Sequence, residues 1–202
     1  MFIINLPTLI DEYKKKKKEI RKRLNELKKD SAEDRFIELC FCLCTPMSKA
    51  EKVYEKVNEK NRSFLLNASY KELSSFLKKV CRFHKKKAKY IVEAREKIDL
   101  LDKIPKDAYE ARDFLVKNIK GLGYKEASHF LRNIGYRDIA ILDRHIINSL
   151  RELGINSKEP PKTRKKYLEI EKEMKKFSKK IGISIDELDL LLWSMKTGKI
   201  LK

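Results

Sequence analysis

The sequence predicts an all-α protein, and three observations carry that prediction. Apolar residues recur at helical spacing in nearly every segment, no run alternates apolar and polar residues as a strand would, and only six glycines and five prolines punctuate 202 residues. A chain of that length can bury a core as one domain or as two small lobes.

The elements follow in order. A basic helix is expected over residues 10–29, with Ile20, Leu24 and Leu27 as a narrow apolar stripe. Its lysine run, 14–18, is either a solvated face or a phosphate-facing one. Over residues 32–45 apolar side chains (Phe36, Ile37, Leu39, Cys40, Phe41, Leu43) crowd together, as in a helix buried on most sides. Thr45-Pro46 ends it. Helices are then expected over 47–60, with Val53 and Val57 inward, over 70–80 and over 85–97. Ile104-Pro105 marks the next boundary; the helix over 107–119 leads into KGLGYK, and the one over 124–134 leaves it. Asp143 is placed to cap a helix reaching about Leu153. Pro160-Pro161 opens a long basic helix to about Ile181, and Ser184 with Glu187 forms a capping box for a last helix that stops at Thr197-Gly198.

Lys and Arg number 49 against 30 Asp and Glu, a net charge of +19 that draws the chain to polyanions, nucleic acid first and anionic membrane second. A Lys/Glu-rich surface also marks heat-adapted proteins, but heat adaptation does not explain an excess of one sign. No apolar run approaches the ~20 residues of a membrane span, and MFIINLPTLIDEY lacks the basic-then-apolar order of a signal peptide. An intracellular monomer, in cytoplasm or nucleoid and off the membrane, is expected. Cys40, Cys42 and Cys44 turn through about 200° on a helix, so one metal could not collect them; with Cys81 they read as core thiols in a reducing compartment. No C-terminal cysteine cluster exists to hold an iron–sulfur centre, and His84 and His145 lack ligand spacing, so no metal-ligating side chains are expected.

The residues that carry chemistry gather between Ile119 and His145. Gly121 and Gly123 allow a tight turn with backbone close to a ligand, and the helix that follows adds a positive dipole: a phosphate seat, or an ordinary αα-turn. Ala127, Phe130, Leu131 and Ile134 form that helix's inward stripe, which turns Lys125 outward with His129 one turn on and Arg132 beside it. In the first helical turn the dipole favours a neutral, nucleophilic amine. His129 is read as either solvent-facing or pocket-lining. Asp143 is a helix cap that can also oppose a developing cation. On the last helix Leu188, Leu191, Leu192 and Met195 make the core stripe, whereas Trp193 lies on the other side with Leu190, Asp186 and Asp189, either packing on another helix or offering a face to a base. The ending TGKILK could bring Lys202 beside it.

IKGLGYKEA followed by LDRHI resembles the helix-hairpin-helix and aspartate signature of the DNA glycosylase superfamily, in which a hairpin lysine marks the bifunctional members. Phe83, Lys87, Ala88 and Ile91 are similar to the superfamily's aromatic-x-x-x-KA-x-x-I segment, and LDLLLWSMKTGKILK resembles the ending of the archaeal-type 8-oxoguanine DNA glycosylase/AP lyases. The resemblance implies two helical lobes with a DNA- and base-binding cleft, one spanning about 46–135 with the hairpin at 119–125, the other 1–45 plus 136–202. It implies that Lys125 attacks C1′ to form a Schiff base, that Asp143 stabilises the oxocarbenium-like transition state, and that β-elimination then nicks the strand. Trp193, Lys202 and His129 would bind the flipped base, and Gly121, Gly123, Lys120 and Arg144 would hold double-stranded DNA containing 8-oxoguanine. No cofactor is required; a structural cation on the carbonyls of Ile119 and Leu122 is implied by some members. Where the superfamily often has glutamine or asparagine to fill the hole in the duplex, this chain offers Met47. The rival readings are a glycosylase/lyase for oxidised pyrimidines, as in the endonuclease III branch, and a helix-hairpin-helix module without chemistry.

Overall fold

The computed structural model describes residues 4–155 and 159–200. Among them lie eleven α-helices, two short 3-10 turns at Glu59–Asn61 and Ile98–Asp102, and no strand. The described residues divide into two compact units, one from the N-terminus to Lys28 together with Gly135 onward, the other Lys29–Ile134. The division expected from the sequence runs instead at about 45/46 and 135/136. Helix α2 (Ala32–Cys44) belongs with the hairpin unit, because its apolar faces pack on α6 (His84–Arg95) and α8 (Tyr124–Asn133).

In the hairpin unit α2 is the centre. Ser31 caps it by accepting from the Asp34 N–H, and every residue from Phe36 to Cys44 is buried. All four cysteines are buried free thiols. The expected helix over 47–60 is instead α3 (Ala50–Lys56), a 3-10 turn and α4 (Arg62–Asn67). Asparagines cut it: Asn58 accepts from the Lys60 N–H at 2.9 Å, and Asn61 donates to the Lys56 carbonyl at 2.7 Å, each offering the backbone a partner outside the helix. Helix α5 (Tyr70–Lys78) opens on a Ser69/Glu72 capping box, and α7 (Ala108–Asn118) on Asp107.

In the other unit α1 (Leu6–Glu26) begins before Ile10, because Asn5 caps it and accepts from the Thr8 N–H at 3.0 Å. Helix α11 (Ile185–Thr197) is the core element. It packs on α1, on α9 (Arg144–Glu152) and on α10 (Arg164–Ile181), and its residues 185–192 are all buried. Tyr13 and Arg21 of α1 both reach Glu187, at 3.0 and 2.5 Å. Burial pushes the Glu187 carboxyl up, but hydrogen bonds from Arg21, Ser184 and Tyr13 outweigh it and hold it below the usual range. No helix among the described residues is long and apolar enough to cross a membrane.

Candidate active site

The hairpin forms as its sequence requires. Ile119 ends α7, the Leu122 N–H returns to the Ile119 carbonyl at 3.3 Å, and Gly121 takes φ +98°. A Cβ at Gly121 would stand 2.4 Å from the Tyr90 ring, so both the backbone angle and the close approach demand glycine. Gly123 then caps α8 with no side-chain hydrogen bond, and the Glu126 carboxylate lies 3.1 Å from where a Cβ of Gly123 would stand. Lys120 projects beside the turn with its side chain 63% exposed, at 3.6 Å from Glu93.

Lys125 lies in the first turn of α8, half-buried, with Nζ 2.9 Å from Glu126 Oε1. The inward stripe is as expected, with Ala127, Phe130, Leu131 and Ile134 all buried. The opposite face is not. His129 and Arg132 are 9% and 4% exposed, so the solvent-facing reading of His129 falls and Arg132 is buried beside it. The cause is α2: Phe41 meets the His129 ring edge-on at 5.7 Å, and Asn133 donates to Glu38 Oε1 at 2.7 Å while lying beside the Arg132 guanidinium. A polar face buried against a second helix is invisible to a one-helix apolar count. Lys125 is thus the basic side chain that α8 leaves accessible at its hairpin end.

Lys87 explains the KA-x-x-I segment. Its ammonium, on a residue 4% exposed, donates to the carbonyls of Cys44 and Pro46 at 2.7 and 2.6 Å and to Ser48 Oγ at 2.9 Å. Burial pushes it below the usual lysine range. Ser48 Oγ also accepts from the Arg82 N–H at 3.1 Å, so one polar clamp joins the turn carrying Met47 to the turn carrying Phe83. Both side chains are apolar and exposed, at 60% and 62%, and both backbones are left-handed, with φ +56° and +57°. Such strain in bulky residues persists only where surroundings enforce it, and it concentrates at functional sites.

In the other unit Asp143 caps α9, accepting from the Ile146 N–H at 2.8 Å, while its side chain stays partly exposed. Arg144 beside it is exposed. Trp193 is partly exposed, whereas its expected companion Leu190 is buried. Gly198 ends α11 in the left-handed region, and Lys196 binds both Glu152 oxygens at 2.7 and 2.8 Å. Lys202 lies outside the described residues. Among the described residues no group of three or more His, Cys, Asp or Glu could hold a metal.

Two helices joined by a glycine hairpin, with an accessible lysine in the first turn of the second, define a helix-hairpin-helix protein. A family model, Ogg-HhH, described as 8-oxoguanine DNA glycosylase, matches residues 15–183. A relative named 8-oxoguanine DNA glycosylase/AP lyase from Methanocaldococcus jannaschii is 45% identical over 191 residues, covering 91% of each chain. Another of that name from Fusobacterium nucleatum is 41% identical and covers 94% of each. The structure of the M. jannaschii 8-oxoguanine glycosylase/lyase in complex with 15mer DNA containing 8-oxoguanine superposes with a TM-score of 0.88 at 40% identity, over 96% of this chain and 99% of that one. The 8-oxoguanine DNA glycosylase of Thermotoga maritima gives 0.88 at 35% identity, over 96% of each. The chain therefore belongs to the Ogg-HhH family of 8-oxoguanine DNA glycosylases.

Proposed function

We propose that this chain excises 8-oxoguanine from double-stranded DNA and then cleaves the strand at the abasic site it has made. The observation that carries the mechanism is Lys125, an accessible amine in the first turn of the hairpin helix with a carboxylate at 2.9 Å. Glu126 Oε1 is in reach to receive the ammonium proton. The freed amine attacks C1′, the C1′–N9 bond breaks, and the base leaves with the bonding pair. Ring opening gives a Schiff base between Nζ and C1′. Loss of a C2′ proton then expels the 3′ phosphate by β-elimination, and hydrolysis frees the lysine. Asp143 supplies a carboxylate to oppose the oxocarbenium charge, oriented by the hydrogen bond it accepts from the Ile146 N–H.

The hairpin backbone at Gly121 and Gly123, with Lys120, takes one DNA phosphate, and Arg144 takes another contact. Met47 and Phe83 are the apolar wedge that enters the base stack when the lesion leaves it; their shared clamp and enforced backbone support that role. Trp193 offers its partly exposed ring to the flipped base, with Lys202 reading the purine edge. A cation on the hairpin would use the carbonyls of Ile119 and Leu122, which suit it as hard oxygen donors; the Ile119 oxygen keeps a lone pair after accepting from Leu122. It would supply a bridge to phosphate and take no part in bond breaking.

A cleavage panel of 8-oxoguanine, thymine glycol, uracil and normal duplexes tests the substrate. Selective cutting at 8-oxoguanine is expected. Preference for thymine glycol would refute the assignment.

A further inference from the structure

The backbone leading into Asp143 belongs to no helix and is buried, with Ile139, Ala140, Ile141 and Leu142 between 0% and 7% exposed. No strand lies among the described residues to pair with it. Buried peptide groups must still be satisfied. Side chains from α10 and α11 do this. Asp186 Oδ2 accepts from the Asp138 N–H at 3.0 Å, Glu171 Oε1 from Ala140 at 2.8 Å, and Asp189 Oδ1 from Ile141 at 3.1 Å. Tyr167 accepts from the Leu142 N–H at 3.2 Å and donates to the Ala140 carbonyl at 2.7 Å. All four side chains are themselves buried, at 1–5%.

Taking three carboxyl groups out of water is unfavourable unless partners compensate for the lost hydration. An apolar loop with a tight turn would close the same gap without that cost. The arrangement makes sense where the backbone must be held in one place. Its two ends are fixed as well. Asp138 stands at φ +66° and pairs with Lys175 at 2.6 Å, and the Asp143 N–H bonds to the Ile141 carbonyl at 2.8 Å. The Asp143 carboxylate is thus anchored through the strap behind it and through the Ile146 N–H ahead of it.

We propose that Tyr167, Glu171 and Asp189 are positioning residues for Asp143: their hydrogen bonds replace a neighbouring strand and fix the height at which its carboxylate stands. The proposal rests on the catalytic reading of Asp143. A shift of ~1 Å in a reacting group can lower a rate by about 100-fold, so partial loosening is expected to cost about tenfold. Tyr167→Phe is the mildest probe, because it keeps the ring and removes both hydrogen bonds.

The experiment is a double-mutant cycle read as the single-turnover excision rate on an 8-oxoguanine duplex at saturating enzyme, with DNA affinity measured alongside. Asp143→Asn keeps a good helix cap and is expected to lose about 100-fold or more. Tyr167→Phe alone is expected to lose about tenfold with affinity within about twofold, and nothing further in the Asp143→Asn background. Glu171→Leu should fall similarly, and Glu171→Gln, which restores an acceptor to the Ala140 N–H, should recover most of that loss. Additive loss in the double variant, or equal loss for Glu171→Gln and Glu171→Leu, would overturn the positioning role while leaving Asp143 catalytic. Near-normal excision by Asp143→Asn would instead overturn the reading of Asp143 itself, and the positioning role with it.

Discussion

Lys87→Met tests whether the clamp beneath Met47 and Phe83 holds that surface in place. Methionine keeps the length and the apolar stem but removes three hydrogen bonds, to Cys44, Pro46 and Ser48. Hydrogen bonds to a charged group contribute about 1.5–3 kcal/mol each, but recovering the desolvation of a buried ammonium offsets much of that sum. What decides the balance is the acceptors left behind. Pro46 and Ser48 are partly exposed and can rehydrate, whereas Cys44 is fully buried, and an orphaned buried carbonyl costs about 1–3 kcal/mol. A net loss of about 2 kcal/mol is therefore expected. Urea unfolding at neutral pH measures it, together with excision of 8-oxoguanine, which should fall by more than stability explains because the turn carrying Met47 is freed. A variant as stable as the parent, cutting at the parental rate, would refute the clamp.

The remaining predictions concern strain and charge. Phe83→Gly relieves a left-handed phenylalanine, which costs roughly 1 kcal/mol, so the thermal midpoint should rise relative to Phe83→Ala while lesion excision falls in both; a drop in midpoint below the alanine variant would argue against enforced strain. Glu187 titrates below the usual carboxylate range in the fold, so the stability it confers is fully present above the unfolded value near ~4.3 and is lost as pH falls through the lower folded value. The stability gap between the parent and Glu187→Gln should accordingly be widest near neutrality and close in acid; a gap independent of pH would contradict the charge argument.

Much of this fold was legible because its helices announce their own ends. Ser31, Ser69, Asp143 and Ser184 each accept from the N–H that a cap must satisfy, and Gly198 stops α11 in the left-handed conformation, so local chemistry fixed those boundaries. The hairpin was legible for the same reason, since Gly121 alone permits its turn against Tyr90. What escaped was tertiary. His129 and Arg132 looked outward on a helical wheel because the wheel cannot see α2 covering them. Lys87 matched a pattern, but its three acceptors lie some forty residues away in the chain, at Cys44, Pro46 and Ser48. The strap before Asp143 is held by Tyr167, Glu171 and Asp189, ordinary polar residues whose partners are backbone N–H groups 25 to 48 residues away in the chain. Asp186 and Asp189 were visible beside Trp193 in the sequence, and their purpose was not.

Lys125 is the proposed nucleophile of the excision reaction. Incubating the protein with an 8-oxoguanine duplex and borohydride, then digesting and weighing the peptides, tests it directly. The reduced adduct is predicted on the peptide carrying Lys125, and Lys125→Gln should abolish it while DNA affinity stays within about threefold, since one lysine is a small share of the phosphate contacts. An adduct on any other residue, or an adduct that survives Lys125→Gln, would contradict it.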